Sequence, residues 1–260
     1  MNLFRVEVSI IANRFQRTNA LLPSNLDAKL LFFFDLTIIY LQKTCNICQK
    51  VLTLHCLIDN IYMKILYIHG FSSAGSTGTA TNLRNHLYQD YGVTVVSPDV
   101  PVYPKEALPY LQSVIAEELP DLIIGTSMGA MYTELMKGYK RICVNPSFHM
   151  AKMLTFKHLN KNVAFQNVRK DGATQFKVDK DMVAQFKEIE TKLSLKNITP
   201  EEKQLVWGIF GKDDPMVNCR DDFKKAYGDA QMRIIEGEHS LTDQMVKRDL
   251  LPLIKQLLGL

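Results

Sequence analysis

From Lys64 onward, short apolar runs alternate with amphipathic stretches. The runs KILYI (64–68), VTVVS (93–97), DLIIG (121–125), RICVN (141–145), LVWGIF (205–210) and QMRIIE (231–236) are nearly continuous in apolar side chains, as parallel strands covered on both faces should be. Between and after them, Leu108, Leu111, Ile115 and Leu119 recur at helical spacing, and so do Val246, Leu250, Ile254 and Leu257 near the C-terminus. Pro252 falls inside the second stripe and predicts a kink there. Regular alternation of strand and helix defines an α/β fold: a mostly parallel sheet of about six strands with helices on both faces.

The alternation breaks once, over roughly 55 residues from Ser147 to Glu202. A connection of that length between neighbouring strands most often serves as a lid. Its apolar positions, Met150, Met153, Leu154, Phe156, Phe165, Phe176 and Phe186, are candidates either to line a pocket or to build an ordinary helical core.

The first 62 residues stay outside this rhythm. Their apolar residues have no coherent period, whereas MKILYIHG opens directly on the first strand, so Met63 reads as the natural start. The expected organisation is an N-terminal extension over 1–62, disordered or not native, followed by one domain over 63–260 with a cap insertion at about 147–202. Two other readings of the extension remain. VLTLHCL (51–57) could pair with the first strand as an extra hairpin, and Cys45, Cys48, His55 and Cys56 could form a zinc set. In the latter, His55 and Cys56 are adjacent rather than spaced for chelation, so no metal site is expected.

A chain of 260 residues with 47% hydrophobic content is ordinary for a globular protein with a sizeable core. The net charge of +4, from 31 basic and 27 acidic residues, is interspersed along the chain. No basic block points to a nucleic-acid partner. The five cysteines are odd in number and give no disulfide framework. Arg5 and Glu7 interrupt the apolar start that a secretory signal would need, and the apolar block Leu30–Leu41 carries Asp35 and is too short to span a bilayer. The default expectation is a cytoplasmic protein without stable membrane insertion, of open oligomeric state.

The strand DLIIG runs into GTSMGA, so that Gly125, Ser127 and Gly129 form G-x-S-x-G between a strand and a helix expected from Met128 to about Lys137. This is the context of a nucleophile elbow. A sharp, strained turn aims the serine hydroxyl out of the sheet, and glycine is needed on both sides because a bulkier residue would clash with the turn. The free N–H groups at the head of the following helix favour an anion. A Gly-rich turn with an incidental serine is the plain alternative.

A serine hydroxyl needs a base, most often histidine, and on this fold the chain order is Ser, then Asp or Glu, then His. Order discards His55, His69 and His86; His149 precedes any strand that could hold the acid, and His158 lies in the insertion. His239, in the EGEHS loop after QMRIIE, is where the base belongs. The acid should follow LVWGIF, where the chain reads GKDDPMV; the spacing G-x-x-D-x-x-V from Gly211 to Val217 selects Asp214, with Asp213 as the alternative. The acid's role is to fix the imidazole tautomer and stabilise the imidazolium.

Acyl transfer also needs two backbone donors for the developing oxyanion. One is the residue after the nucleophile, Met128; the other comes from the loop after an earlier strand, here His69-Gly70-Phe71, with Phe71 as the candidate. The same loop, LYIHGFSSAGST from Leu66 to Thr77, is one residue away from a phosphate-binding G-x-x-x-x-G-K-[ST]: Ser76 stands where the lysine is required. A tight turn followed by the N-cap of the next helix explains its small residues better.

Taken together, the HGF loop, Pro98 and Pro101 with Tyr103-Pro104, GTSMGA, VNPS (144–147), GKDDPMV and EGEH resemble the small bacterial esterases of the YqiA/YcfP-like family. The resemblance covers about Met63 to the C-terminus. It implies an α/β-hydrolase fold and esterase activity on acyl esters or acyl thioesters, including acyl-CoA, with no cofactor. Both lines lead to a metal-independent serine hydrolase acting on a small-molecule ester or thioester through an acyl-enzyme. The alternative is a hydrolase-like fold that binds a ligand or partner without turnover.

Overall fold

The computed structural model describes residues 63–260 apart from 194, 197 and 218. The readings made on residues 1–62, namely the extension, the cysteine-histidine set and the extra hairpin, lie outside the described residues.

Six parallel strands form one sheet: β1 (Lys64–Ile68), β2 (Thr94–Val96), β3 (Leu122–Thr126), β4 (Arg141–Val144), β7 (Val206–Gly211) and β8 (Met232–Ile235), in the order β2-β1-β3-β4-β7-β8. Register is set by pairs such as Lys64 with Thr94, Ile65 with Leu122 and Ile123 with Arg141. Each observed strand lies within two residues of the apolar run that predicted it. The reason for the continuous runs is visible in the packing. In β1, Leu66 and Ile68 face one core with helices α2 (Pro104–Glu118), α3 (Met128–Leu135) and α7 (Arg220–Tyr227), while Ile65 and Tyr67 face a second core with α1 (Gly78–Tyr91) and the C-terminal helix. Successive side chains point to opposite faces, and both faces are covered. Both neighbours of β1 are taken, by β2 and β3.

The helical stripes hold with two differences. In α2 the buried positions are Pro104, Ala107, Leu111 and Ile115, while Leu119 is exposed, at the C-cap in the left-handed conformation. The C-terminal helix runs as α8 (Asp243–Met245), a π-helical turn (Val246–Leu250) and α9 (Leu251–Leu258). Pro252 sits in the first turn of α9, where its missing N–H and ring are tolerated, and the widened turn just before it is the irregularity the proline predicts.

The insertion contains α4 (Met150–Lys157), an antiparallel pair β5 (Asn162–Ala164) and β6 (Gln175–Lys177), α5 (Lys180–Glu190) and α6 (Pro200–Gln204). Helix α5 starts on Asp179, whose carboxylate accepts from Met182 N at 2.8 Å, and it buries Met182, Phe186 and Ile189 in the same core as α2 and α3. Each such side chain contributes about 2 kcal/mol of burial. Phe186 is therefore core, and Phe156 is 79% exposed on α4. Neither lines the cavity described below, whereas Phe165 and Phe176 do; Phe176 also packs against Phe71.

Candidate active site

Gly70 and Phe71 lie just beyond the C-terminal end of β1, Ser127 just beyond β3, Asp214 beyond β7 and His239 beyond β8. The chain leaves β1 towards β2 on one side and returns to β3 on the other. The crevice at such a switch point is where open α/β sheets bind ligands, and Phe71 and Ser127 flank it.

Ser127 is held with φ 56° and ψ −117°, a strained conformation for a residue with a Cβ. Its surroundings hold it there. Its N–H donates to Val144 O at 2.9 Å, and its carbonyl accepts from Ala130 N, Met131 N and Ser147 N at 3.1, 3.3 and 3.1 Å. The two flanking glycines are dictated by close approach. A Cβ at Gly125 would lie 2.2 Å from Thr133 Oγ1 and 2.3 Å from Gly129 O, and one at Gly129 would lie 2.0 Å from Ile68 O. Helix α3 can begin against β1 and β3 only without those side chains. Gly70 stands on the other side, its Cβ position 3.4 Å from Ser127 Cβ.

His239 Nδ1 and Asp214 Oδ2 are 2.7 Å apart, with the two side chains 14% and 3% exposed. The other carboxylate oxygen, Oδ1, accepts from Met216 N at 2.7 Å and Val217 N at 3.2 Å. This fits a spacing of three residues before Val217: Asp214 caps its own turn and still presents one oxygen to the imidazole. Asp213 is exposed; its N–H donates to Gly237 O at 3.1 Å, and its carboxylate acts on Lys212 rather than on His239. An acceptor-only carboxylate at Nδ1 requires the proton there, which leaves Nε2 as a free acceptor.

Two backbone N–H groups are available near Ser127. Met128 opens α3, so its N–H has no intrahelical acceptor. Among the described residues no acceptor pairs with Phe71 N. The loop that carries Phe71 is fixed from two directions. His69 is buried; its Nε2 accepts from Val100 N at 3.0 Å, so its Nδ1 must carry the proton and donate to Gly70 O at 2.8 Å. Burial, helped by Arg169 and opposed by the Gly70 hydrogen bond and Asp99, pushes His69 down to about 4. It is a neutral latch between the loops after β1 and β2. From the cap side, Gln166 N donates to Ser72 O at 2.8 Å and Ser73 Oγ to Asn167 Oδ1 at 2.9 Å. The Phe71 ring packs edge-on against Phe176 with centroids 5.2 Å apart and lies 5.7 Å from His158.

The phosphate-loop likeness has a different explanation. Gly75 N donates to Asp99 Oδ1 at 2.7 Å, and the other oxygen of Asp99 accepts from Lys170 N at 2.6 Å. The loop receives an anion, and it is the protein's own carboxylate. The N-cap expected after it is Thr77, but its side chain makes no capping bond to α1.

Sequence reasoning gave Asn145 no role. In the structure it is buried at the end of β4 with φ 42°; its Oδ1 accepts from Gly211 N at 2.7 Å, and its Nδ2 donates to His239 O at 2.8 Å and Glu238 O at 3.2 Å. It joins the strand that leads to the acid with the loop that carries the imidazole. A short amide side chain in the left-handed region is the available signal.

A cavity of about 870 Å³ lies between the Ser97–Pro101 loop, α2 and the cap hairpin, and is lined in part by Phe165 and Phe176 but not by Ser127, Asp214 or His239. Phe176 lines this cavity and also packs against the Phe71 ring. Among the described residues, the metal-type group with donor atoms close enough to share an ion is His149, Cys219 and Asp222, which includes none of these site residues. No helix among the described residues is long and apolar enough to cross a membrane.

The sheet order, the crossover at β1 and the placement of an elbow between β3 and α3 are those of the α/β-hydrolase fold. A family model described as Uncharacterised protein family (UPF0227) matches residues 64–257, and the chain belongs to that family, in line with the YqiA/YcfP-like resemblance of its motifs. Among solved structures the chain is similar to Est1E from Butyrivibrio proteoclasticus, at 14% identity and a TM-score of 0.52, covering 76% of this chain and 89% of that one. Est1E with ferulic acid bound is similar at a TM-score of 0.53, 14% identity and coverages of 76% and 90%. Alpha/beta hydrolase domain-containing protein 10 from mouse is similar at 14% identity and a TM-score of 0.51, covering 75% and 90%. At these identities the likeness is one of fold.

Proposed function

We propose that this protein is a serine hydrolase that cleaves carboxylic esters or thioesters of small molecules through an acyl-enzyme. Ser127 Oγ attacks the acyl carbon while His239 Nε2 takes its proton. The tetrahedral oxyanion is bound by the N–H groups of Phe71 and Met128, and collapse expels the alcohol or thiol, which receives the proton from His239. Water then repeats the sequence on the acyl-enzyme and releases the acid. Asp214 keeps the proton on Nδ1 and stabilises the imidazolium without taking the proton itself.

The observation that carries this reading is the 2.7 Å bond between Asp214 and His239, at the same end of the sheet as a serine held in a strained elbow. The two residues are 25 positions apart in sequence and meet only in the fold. The domain boundaries belong to the same proposal: a hydrolase domain from residue 63 with a cap at about 147–202.

The test is turnover of nitrophenyl esters and acyl thioesters of graded acyl length, followed from the first milliseconds. A burst of leaving group equal to the enzyme present, followed by slower turnover, is expected for an acyl-enzyme. Folded protein that releases no leaving group from any of these substrates would favour a binding role instead.

A further inference from the structure

His149, Cys219 and Asp222 bring an imidazole nitrogen, a thiol sulfur and a carboxylate oxygen within 4.8 Å of one another. They come from two loops that leave neighbouring strands. His149 ends the loop after β4, immediately before α4, and Cys219 and Asp222 stand at the N-cap and in the first turn of α7 after β7. Cys219 is a poor choice for an N-cap, where Ser, Thr, Asp or Asn would serve, and its side chain makes no capping bond. Asp222, spaced three residues on, shares its helix face and sends its carboxylate to His149, with Nε2 to Oδ2 at 2.9 Å. Glu190 lies close enough to act electrostatically on both His149 and Cys219. The sulfur is buried, whereas the imidazole is open to solvent, so an ion has a route in.

We propose that His149, Cys219 and Asp222 form a site for a thiophilic divalent cation, Zn²⁺ foremost, with a fourth position left to water. Tetrahedral bonds of about 2.0–2.3 Å put donor atoms roughly 3.3–3.7 Å apart, so the observed cluster needs only side-chain adjustment. The donor set selects the metal. Thiolate and imidazole suit Zn²⁺ and its relatives and do not suit Mg²⁺ or Ca²⁺, which take oxygen ligands. One thiolate and one carboxylate neutralise the ion's two charges; binding displaces the thiol proton to solvent. The ion would join the loop that contains Asn145 to the segment that follows Asp214. This site is separate from the proposed catalytic group and does not depend on that reading.

The probe is Co²⁺, whose thiolate complex has a near-ultraviolet charge-transfer band, in the full chain carrying Cys45→Ser, Cys48→Ser and Cys56→Ser, so that the N-terminal thiols contribute nothing. The expected result is one Co²⁺ per chain with a thiolate band, displaced by Zn²⁺ and abolished by Cys219→Ser. His149→Ala and Asp222→Asn, both at solvent-accessible positions that need not disturb folding, should each weaken binding at least about tenfold. A thiolate band that never appears, that survives Cys219→Ser, or that forms with unchanged affinity in both His149→Ala and Asp222→Asn would overturn the proposal.

Discussion

Asn145 Nδ2 donates to the main-chain oxygen of His239 at 2.8 Å, while its Oδ1 accepts from Gly211 N at 2.7 Å. One buried amide thus sets the distance between the end of β7, where the acid loop begins, and the loop that carries the imidazole. Asn145→Asp keeps the size and tolerates the positive φ, but it replaces a donor by a carboxylate facing two carbonyls. The expected loss is about 10²-fold in kcat with little change in KM, the order of effect a displacement of about 1 Å produces, together with a stability loss of about 1–3 kcal/mol. Unchanged kcat in the folded variant would show that His239 does not depend on this tie.

If Ser127, His239 and Asp214 act as a unit, their losses should not add. Ser127→Ala and His239→Ala should each lower kcat by about 10⁶, and the double variant little further. Asp214→Asn should cost about 10⁴ through the wrong imidazole tautomer. Asp213→Asn, at the exposed neighbour, should be nearly silent. Steady-state rates on one nitrophenyl ester decide this, and comparable losses at the two aspartates would contradict the assignment.

The neutral latch at His69 has a pH consequence. Its folded-state value is about 4 against an ordinary 6.5. As pH falls below 6.5 the unfolded chain takes up a proton that the folded chain refuses until about pH 4. Stability from this group is therefore complete above pH 6.5 and lost between there and 4, by on the order of 3 kcal/mol. Urea unfolding at pH 7 and pH 4 should show a pH dependence smaller by about that amount in His69→Gln than in the wild type. Parallel curves for the two proteins would mean that folded His69 takes up its proton as readily as the unfolded chain does.

Phe176 touches the Phe71 ring on one side and lines the cavity of about 870 Å³ on another. Phe176→Ala should join the cavity to the site and raise relative kcat/KM for long acyl chains over acetyl, by about 1–3 kcal/mol of discrimination. Phe156→Ala, at an exposed position on α4, should leave the ratio alone. If both variants keep the wild-type ratio, the cap does not select the acyl group.

The strands and their order along the chain were legible because parallel strands buried on both faces are written as continuous apolar runs. The elbow was legible because the strain at Ser127 requires Gly125 and Gly129 at fixed spacing. The inner elements of the 147–202 insertion were not: β5 and β6 have three residues each and alternate exposed with half-buried positions, too short a signal for any periodicity. Phe186 and Phe156 look alike in sequence, and only the docking of α5 against α4 and α2 decides which one is core. Asn145, the His69 latch and the convergence of His149 with Cys219 are contacts between loops far apart in the chain. Their geometry depends on the sheet order β2-β1-β3-β4-β7-β8, which no local pattern encodes.

Labelling of the intact protein with a fluorophosphonate, followed by mapping of the modified peptide, tests the central claim most directly. The account predicts one adduct per chain, on Ser127 Oγ, lost in Ser127→Ala and strongly slowed in His239→Ala. Folded protein that takes up no label, or that is labelled at another residue, would contradict it.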